Sequence, residues 1–223
     1  GKNKKEFFIS TNICHPSMAN NEISGPAVTS YIVDYLNKKK SLRYSYRIVF
    51  VPETIGSLAY IKRKIKILKN NVVAGLNIVC VGDNRCYSFL PSRAGNTTID
   101  KICQHVLRWT DSTYKKYRWS DRGSDERQYC APGVNLPVAS IMRSKYGEYK
   151  EYHTSKDKLG TVVTAKGLFG AYSAIIRAIE AFESNYCPKI KTIGEPHLKK
   201  YSLYHNSNKH KYNDMNIRLI LDV

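Results

Sequence analysis

Apolar and polar positions alternate along this chain in blocks of two different periods. Continuous apolar runs, the mark of strands buried on both faces, fall at Glu6–Ile13, Tyr44–Val51, Val72–Val81 and Val138–Met142. Weaker strand patterns cover Arg85–Leu90 and Tyr114–Trp119. Between them the period changes to that of helices, over Pro26–Lys39, Thr54–Leu68, Thr97–Trp109 and a long Thr161–Ser184. In the last, Leu168, Tyr172, Ile175, Ile176, Ile179 and Phe182 fall on one stripe. Pro26 near one helix start and Pro188 beyond the last helix sit where helix boundaries favour proline. Strands alternating with helices predict an α/β layered fold.

After Cys187 the texture turns polar and rich in His, Asn and Lys, closing on an amphipathic stretch, Asn213–Val223. The predicted organisation is one domain over 1–187, then a linker and the truncated start of another over 188–223. Without an initiator Met, and with an apolar run at its close, the chain reads as cut at both ends.

At 223 residues and 42% hydrophobic, the chain can bury a substantial core. No run reaches the roughly 18 apolar residues of a membrane span, and no secretory leader precedes the first strand. Six scattered cysteines (14, 80, 86, 103, 130 and 187) form no CxxC pair. They are expected to be reduced, in a cytoplasmic protein without a cysteine-based zinc site.

The 36 Lys and Arg against 18 Asp and Glu give a net charge of +18, which raises nucleic acid as a partner. The basic residues are nevertheless spread along the chain. Their densest group, Lys62-Arg63-Lys64 with Lys66 and Lys69, lies on a predicted helix and reads as a solvated face. Nucleic acid is therefore not the expected partner.

Four segments at strand ends or in loops carry candidate chemistry. The first runs Cys14-His15-Pro16-Ser17-Met18-Ala19-Asn20-Asn21-Glu22, between a strand and a helix, where open α/β sheets bind ligands. Its side chains suit a divalent metal, although His15 alone reads better as a structural histidine. The second, Val51-Pro52-Glu53-Thr54, puts a carboxylate directly after a strand. Glu53 either favours the helix N-terminus or activates water, and the two readings stand even. The third is the polar loop Gly123-Ser124-Asp125-Glu126-Arg127-Gln128-Tyr129, denser than a simple turn requires. In the fourth, Glu151–Asp157, capping explains Thr154, Ser155 and Asp157 but leaves His153 over. Two imidazoles and a carboxylate would hold zinc with a position left for water.

In order, these segments resemble the zinc-dependent aminopeptidase superfamily that also contains glutaminyl cyclases. CHPSMANNEISGP, PETIGS, GSDERQYCAPGVNLP and EYHTSKD more closely resemble bacterial polysaccharide-biosynthesis proteins with an aminopeptidase-like domain, over about Glu6 to Leu203. The resemblance implies a three-layer zinc-exopeptidase-like fold, with a mostly parallel mixed sheet and helices on both faces. It makes His15 and His153 metal ligands, Glu53 the general base and Asp125 part of the proton network. Arg127 and Tyr129 become candidates for gripping substrate. It also makes Gly194-Glu195-Pro196-His197-Leu198 the passage into a winged-helix-like domain.

Relatives with two metals carry aspartates near Asn20-Asn21 and Asn77 and a second glutamate at Thr54. Amides and a threonine here imply one zinc, held by His15, Glu22 and His153. The expected activity is hydrolysis of an amide or peptide bond in a small peptide or amino-acyl sugar. The second reading is a catalytically inactive scaffold with a binding or regulatory role.

Overall fold

A six-stranded sheet in the order β2-β1-β3-β6-β4-β5 forms the middle layer of the computed structural model, which describes residues 1–186 and, beyond them, 193, 194, 197 and 200. The strands are β1 (Glu6–Asn12), β2 (Ser45–Val51), β3 (Val72–Ile78), β4 (Ser88–Leu90), β5 (Lys115–Lys116) and β6 (Val138–Met142). β2, β1, β3 and β6 run parallel; β4 pairs antiparallel with β6 and parallel with β5. This is the mostly parallel mixed sheet expected. The helices are α1 (Ser24–Lys38), α2 (Ile55–Asn71), α3 (Thr98–Thr110), α4 (Glu126–Tyr129) and α5 (Ala165–Ser184).

Alternate residues of β1 explain the three layers. Phe7 and Ile9 pack on one face with Val28 and Ile32 of α1, Leu107 of α3 and Ile175 and Phe182 of α5. Phe8 points to the other face, among Ile61 and Leu68 of α2, Tyr129 of α4 and Val138. Every residue of β1 is buried, which accounts for its unbroken apolar run.

Three predicted boundaries move for local reasons. β3 stops at Ile78, where its pairing with Thr11 of β1 ends, and Cys80 then turns the chain with φ 51°. β5 shrinks to two exposed residues at the sheet edge. α5 begins at Ala165, with the Gly167 N–H donating to Thr164 Oγ1 at 3.0 Å. By contrast α3 starts one residue after Thr97, which forms a capping box with Asp100.

The entrance to α1 packs tightly against the ends of β1 and β3. A Cβ on Gly25 would lie 2.4 Å from Thr11 Oγ1 and 2.5 Å from the Ile78 carbonyl oxygen, so only glycine lets the helix approach. A π-helical turn, Ala19–Ile23, precedes it. The Asp157 carboxylate accepts the Asn20 and Asn21 N–H groups at 2.7 and 3.1 Å, holding that turn. Asp157 is one of seven acids turned inward among the described residues, with Glu6, Glu22, Asp83, Asp100, Asp125 and Glu126.

The Lys62 cluster lies exposed along α2, as a solvated face should. Among the described residues no helix is long and apolar enough to cross a membrane, and Cys14, Cys80, Cys86, Cys103 and Cys130 are unpaired thiols. The first compact unit is Gly1–Ser184. The linker and helix start expected over 188–223 lie outside the described residues, apart from the four named above.

Candidate active site

β1 and β2 end side by side, and the segments that leave them meet. Beyond β1, the His15 Nδ1 lies 2.9 Å from Glu22 Oε1. Glu22 comes from the π-helical turn, is 4% exposed, and also accepts from Asn21 Nδ2 at 2.9 Å and the Cys14 N–H at 3.1 Å. Beyond β2, Glu53 Oε1 accepts from Asn12 Nδ2 at 3.1 Å. One potential ligand atom each from Cys14, His15, Glu22 and Glu53 falls within 4.8 Å of the others. Sulfur, imidazole and carboxylate donors in so small a volume fit a divalent transition metal.

His153 comes from the loop before α5. Its ring lies 5.2 Å from that of His15 and stacks on Tyr152 at 3.9 Å. It is exposed and outside the tight group of four.

Glu53 owes its position to a strained turn. Thr54 has φ 61° and ψ −66°, and the Ile55 N–H donates to the Glu53 carbonyl at 2.7 Å. This is a γ-turn with positive φ, rare for a β-branched residue. Ser17 and His153 also have positive φ, at 63° and 56°. Such strain persists where surrounding contacts over-determine the backbone, commonly at functional sites.

Those contacts include Asp125. Its Oδ1 accepts the Thr54 N–H at 2.8 Å and the Ser57 hydroxyl at 2.7 Å, while its buried Oδ2 has no partner. Burial, with the Glu53 and Glu126 charges adding to it, pushes its carboxyl up to about 6 against two opposing hydrogen bonds. Between pH 4 and 6 the folded chain therefore keeps a proton that the unfolded chain has released. Stability from this group is full below about pH 4 and is lost as pH rises to about 6. The loss is roughly 3 kcal/mol. Urea unfolding of the wild type and Asp125→Asn across this window should show the variant gaining by about that amount. A difference between the two that does not change with pH would place the proton elsewhere.

Arg127 is exposed and donates from Nη2 to Thr54 Oγ1 at 2.9 Å, beside Glu53. Tyr129 is placed differently from its expected role. It is fully buried, with its ring edge-on to Phe8 and its hydroxyl 2.7 Å from Ser10 Oγ. It is placed as a core tyrosine, away from the surface where a substrate would be gripped.

Two acids that sequence reasoning passed over organise the rim. The buried Glu126 accepts from the Gly123 and Ser124 N–H groups, the Tyr146 hydroxyl and Asn77 Nδ2, at 2.7–3.0 Å. Asp83 accepts from the Ser144 N–H and hydroxyl, the Arg85 N–H and Asn20 Nδ2. Their signal was only a carboxylate in a polar loop. The Asn20 and Asn77 amides are thus committed to buried acids.

A family profile described as a domain of unknown function, DUF4910, matches residues 1–185. A Clostridium acetobutylicum protein named as a polysaccharide biosynthesis protein with aminopeptidase-like domain is 40% identical over 209 residues, 92% of this chain and 46% of the relative. This chain thus spans about half the length of that relative. A crystal structure named as a peptidase, also from Clostridium acetobutylicum, superposes with a TM-score of 0.82 at 39% identity, over 90% of this chain and 47% of that one. The zinc aminopeptidase of Bacillus subtilis shares the fold, with a TM-score of 0.61 at 15% identity, over 80% of this chain and 46% of that one.

Proposed function

Since the chain belongs to the DUF4910 domain family and has an aminopeptidase-like fold, we propose that it is a metal-dependent hydrolase of amide or peptide bonds using one zinc ion. The observation that carries this reading is the meeting of His15, Glu22 and Glu53 at the ends of β1 and β2. His15 and Glu22 hold the ion, and His153, one ring away, completes its set. Commitment of Asn20 and Asn77 to Asp83 and Glu126 favours one ion over two.

Zinc supplies Lewis acidity, easing the loss of a proton from water and polarising a carbonyl. The chain supplies the rest. Glu53 takes the proton from the attacking water and passes it to the departing amine. Asn12 occupies Glu53 Oε1, which leaves Oε2 for that proton. Asp125 fixes the turn that aims Glu53, and Arg127 beside it grips an anionic group of the substrate. Small peptides and amino-acyl sugars, in the cytoplasm, are the substrates we favour; the sugar follows from the name of the relative.

The test uses full-length protein, metal analysis and a panel of amino-acyl amides and amino-acyl sugars. One zinc per chain is expected, with turnover lost to a chelator and restored by zinc. Protein that takes up no metal and hydrolyses nothing would overturn the reading and leave a ligand-binding scaffold.

A further inference from the structure

Three of the five thiols named above, Cys80, Cys103 and Cys130, are packed in apolar clusters. Cys14 is not. It stands open to solvent beside polar atoms, with its Sγ 3.0 Å from His15 Nδ1 and 3.5 Å from Glu22 Oε2. The other oxygen of the same carboxylate, Glu22 Oε1, lies 2.9 Å from His15 Nδ1.

A tetrahedral zinc ion with bonds of about 2.0–2.3 Å to nitrogen, oxygen and sulfur spaces neighbouring donors about 3.3–3.6 Å apart. Here the sulfur and the imidazole nitrogen are 3.0 Å apart and each meets one oxygen of the Glu22 carboxylate, at 3.5 and 2.9 Å, so the three donors are already gathered at close to that spacing.

We propose that Cys14 is a ligand of the metal, giving its thiolate to the ion that His15 and Glu22 hold in the place assigned above to His153, so that three protein ligands still leave a position for water. The inference rests on the metal-dependent reading above and changes the donor set from nitrogen and oxygen to one that includes sulfur. On binding, the thiol proton leaves to solvent and the sulfur lone pair goes to the ion.

Two further features support it. The Glu53 N–H, from a different element, points at Cys14 Sγ at 3.3 Å. A main-chain donor of this kind steadies a ligating thiolate and fixes its direction. Glu22 and Glu53 also converge on the same small volume as the sulfur. Negative groups so close repel, and a divalent cation removes the repulsion. A soft sulfur donor beside imidazole and carboxylate favours zinc or cobalt over magnesium, calcium or manganese.

Cobalt(II) loaded into the full-length protein reads this directly, without an activity assay. A thiolate ligand gives an intense near-ultraviolet sulfur-to-cobalt charge-transfer band. The wild type should show it, Cys14→Ser should lose it with at least about 10-fold weaker metal binding, and His153→Gln should keep it. Because the first reading comes from the wild type, it survives a variant that fails to fold. Cobalt bound without the band would overturn the thiolate ligand and leave the hydrolase reading standing. Failure of the wild type to bind cobalt or zinc would overturn both.

Discussion

Glu53→Gln is expected to lower kcat by about 10²–10⁴-fold with KM nearly unchanged. The change is nearly isosteric. Glutamine keeps an oxygen for the Asn12 amide, so the hydrogen bond from β1 survives. The γ-turn at Thr54 is built from main-chain atoms and the Asp125 carboxylate, so it also survives. What glutamine cannot do is accept a proton from water. Steady-state kinetics and metal analysis on the same preparation separate the outcomes. Undiminished turnover removes Glu53 as the base. Lost metal with lost turnover makes Glu53 a ligand, which its place among the four clustered donors would then explain.

The largest effect on stability is expected at Glu126, where alanine should cost about 4 kcal/mol. The carboxylate is fully buried and four donors converge on it, two of them main-chain N–H groups. Alanine strands these donors where water has poor access, and each stranded group carries a desolvation penalty of about 1–3 kcal/mol. Relaxation and water entry recover part of the sum. Glutamine should cost less, since it keeps one acceptor, although its amide group faces a donor. Denaturant unfolding of both variants checks the order. A loss below about 1 kcal/mol for alanine would mean that the loop holds its shape without the acid. Activity should fall with stability, because Ser124 and Asp125 lie immediately before this anchor in the chain and Asp125 holds the Thr54 turn.

The layers of the fold were legible because each depends on a local period. β1 reads as buried on both faces since Phe7, Phe8 and Ile9 have no polar residue among them, and α5 shows its stripe without help. The short devices at the rim were not legible. The π-helical turn at Ala19–Ile23 is held by Asp157, 137 residues from Asn20. Tyr129 lay in a polar run, and its polar partner, Ser10, is 119 residues away. Cys14 was set aside because zinc cysteines usually come in pairs along the chain. Its neighbours instead include a main-chain N–H from the end of β2. His15, Glu53 and Asp125 stood out as candidates because each lies just past a strand or opens a helix, and such positions are readable one segment at a time. Glu22 was within reach because it returns to His15 over seven residues.

The inward-turned acids also set what the surroundings of the molecule feel. Seven carboxylates lie beneath the surface among the described residues, while only Arg143 and Lys145 of the basic side chains are similarly buried. Among the described residues, the exposed surface is therefore more cationic than their charge balance alone suggests. An anion diffusing toward the chain meets an attractive field well before contact, and its capture rate rises at low ionic strength. At physiological salt that field reaches only about 8 Å. For the metal ion proposed above, the same field would oppose approach to the rim, and the acids beneath would supply the local attraction.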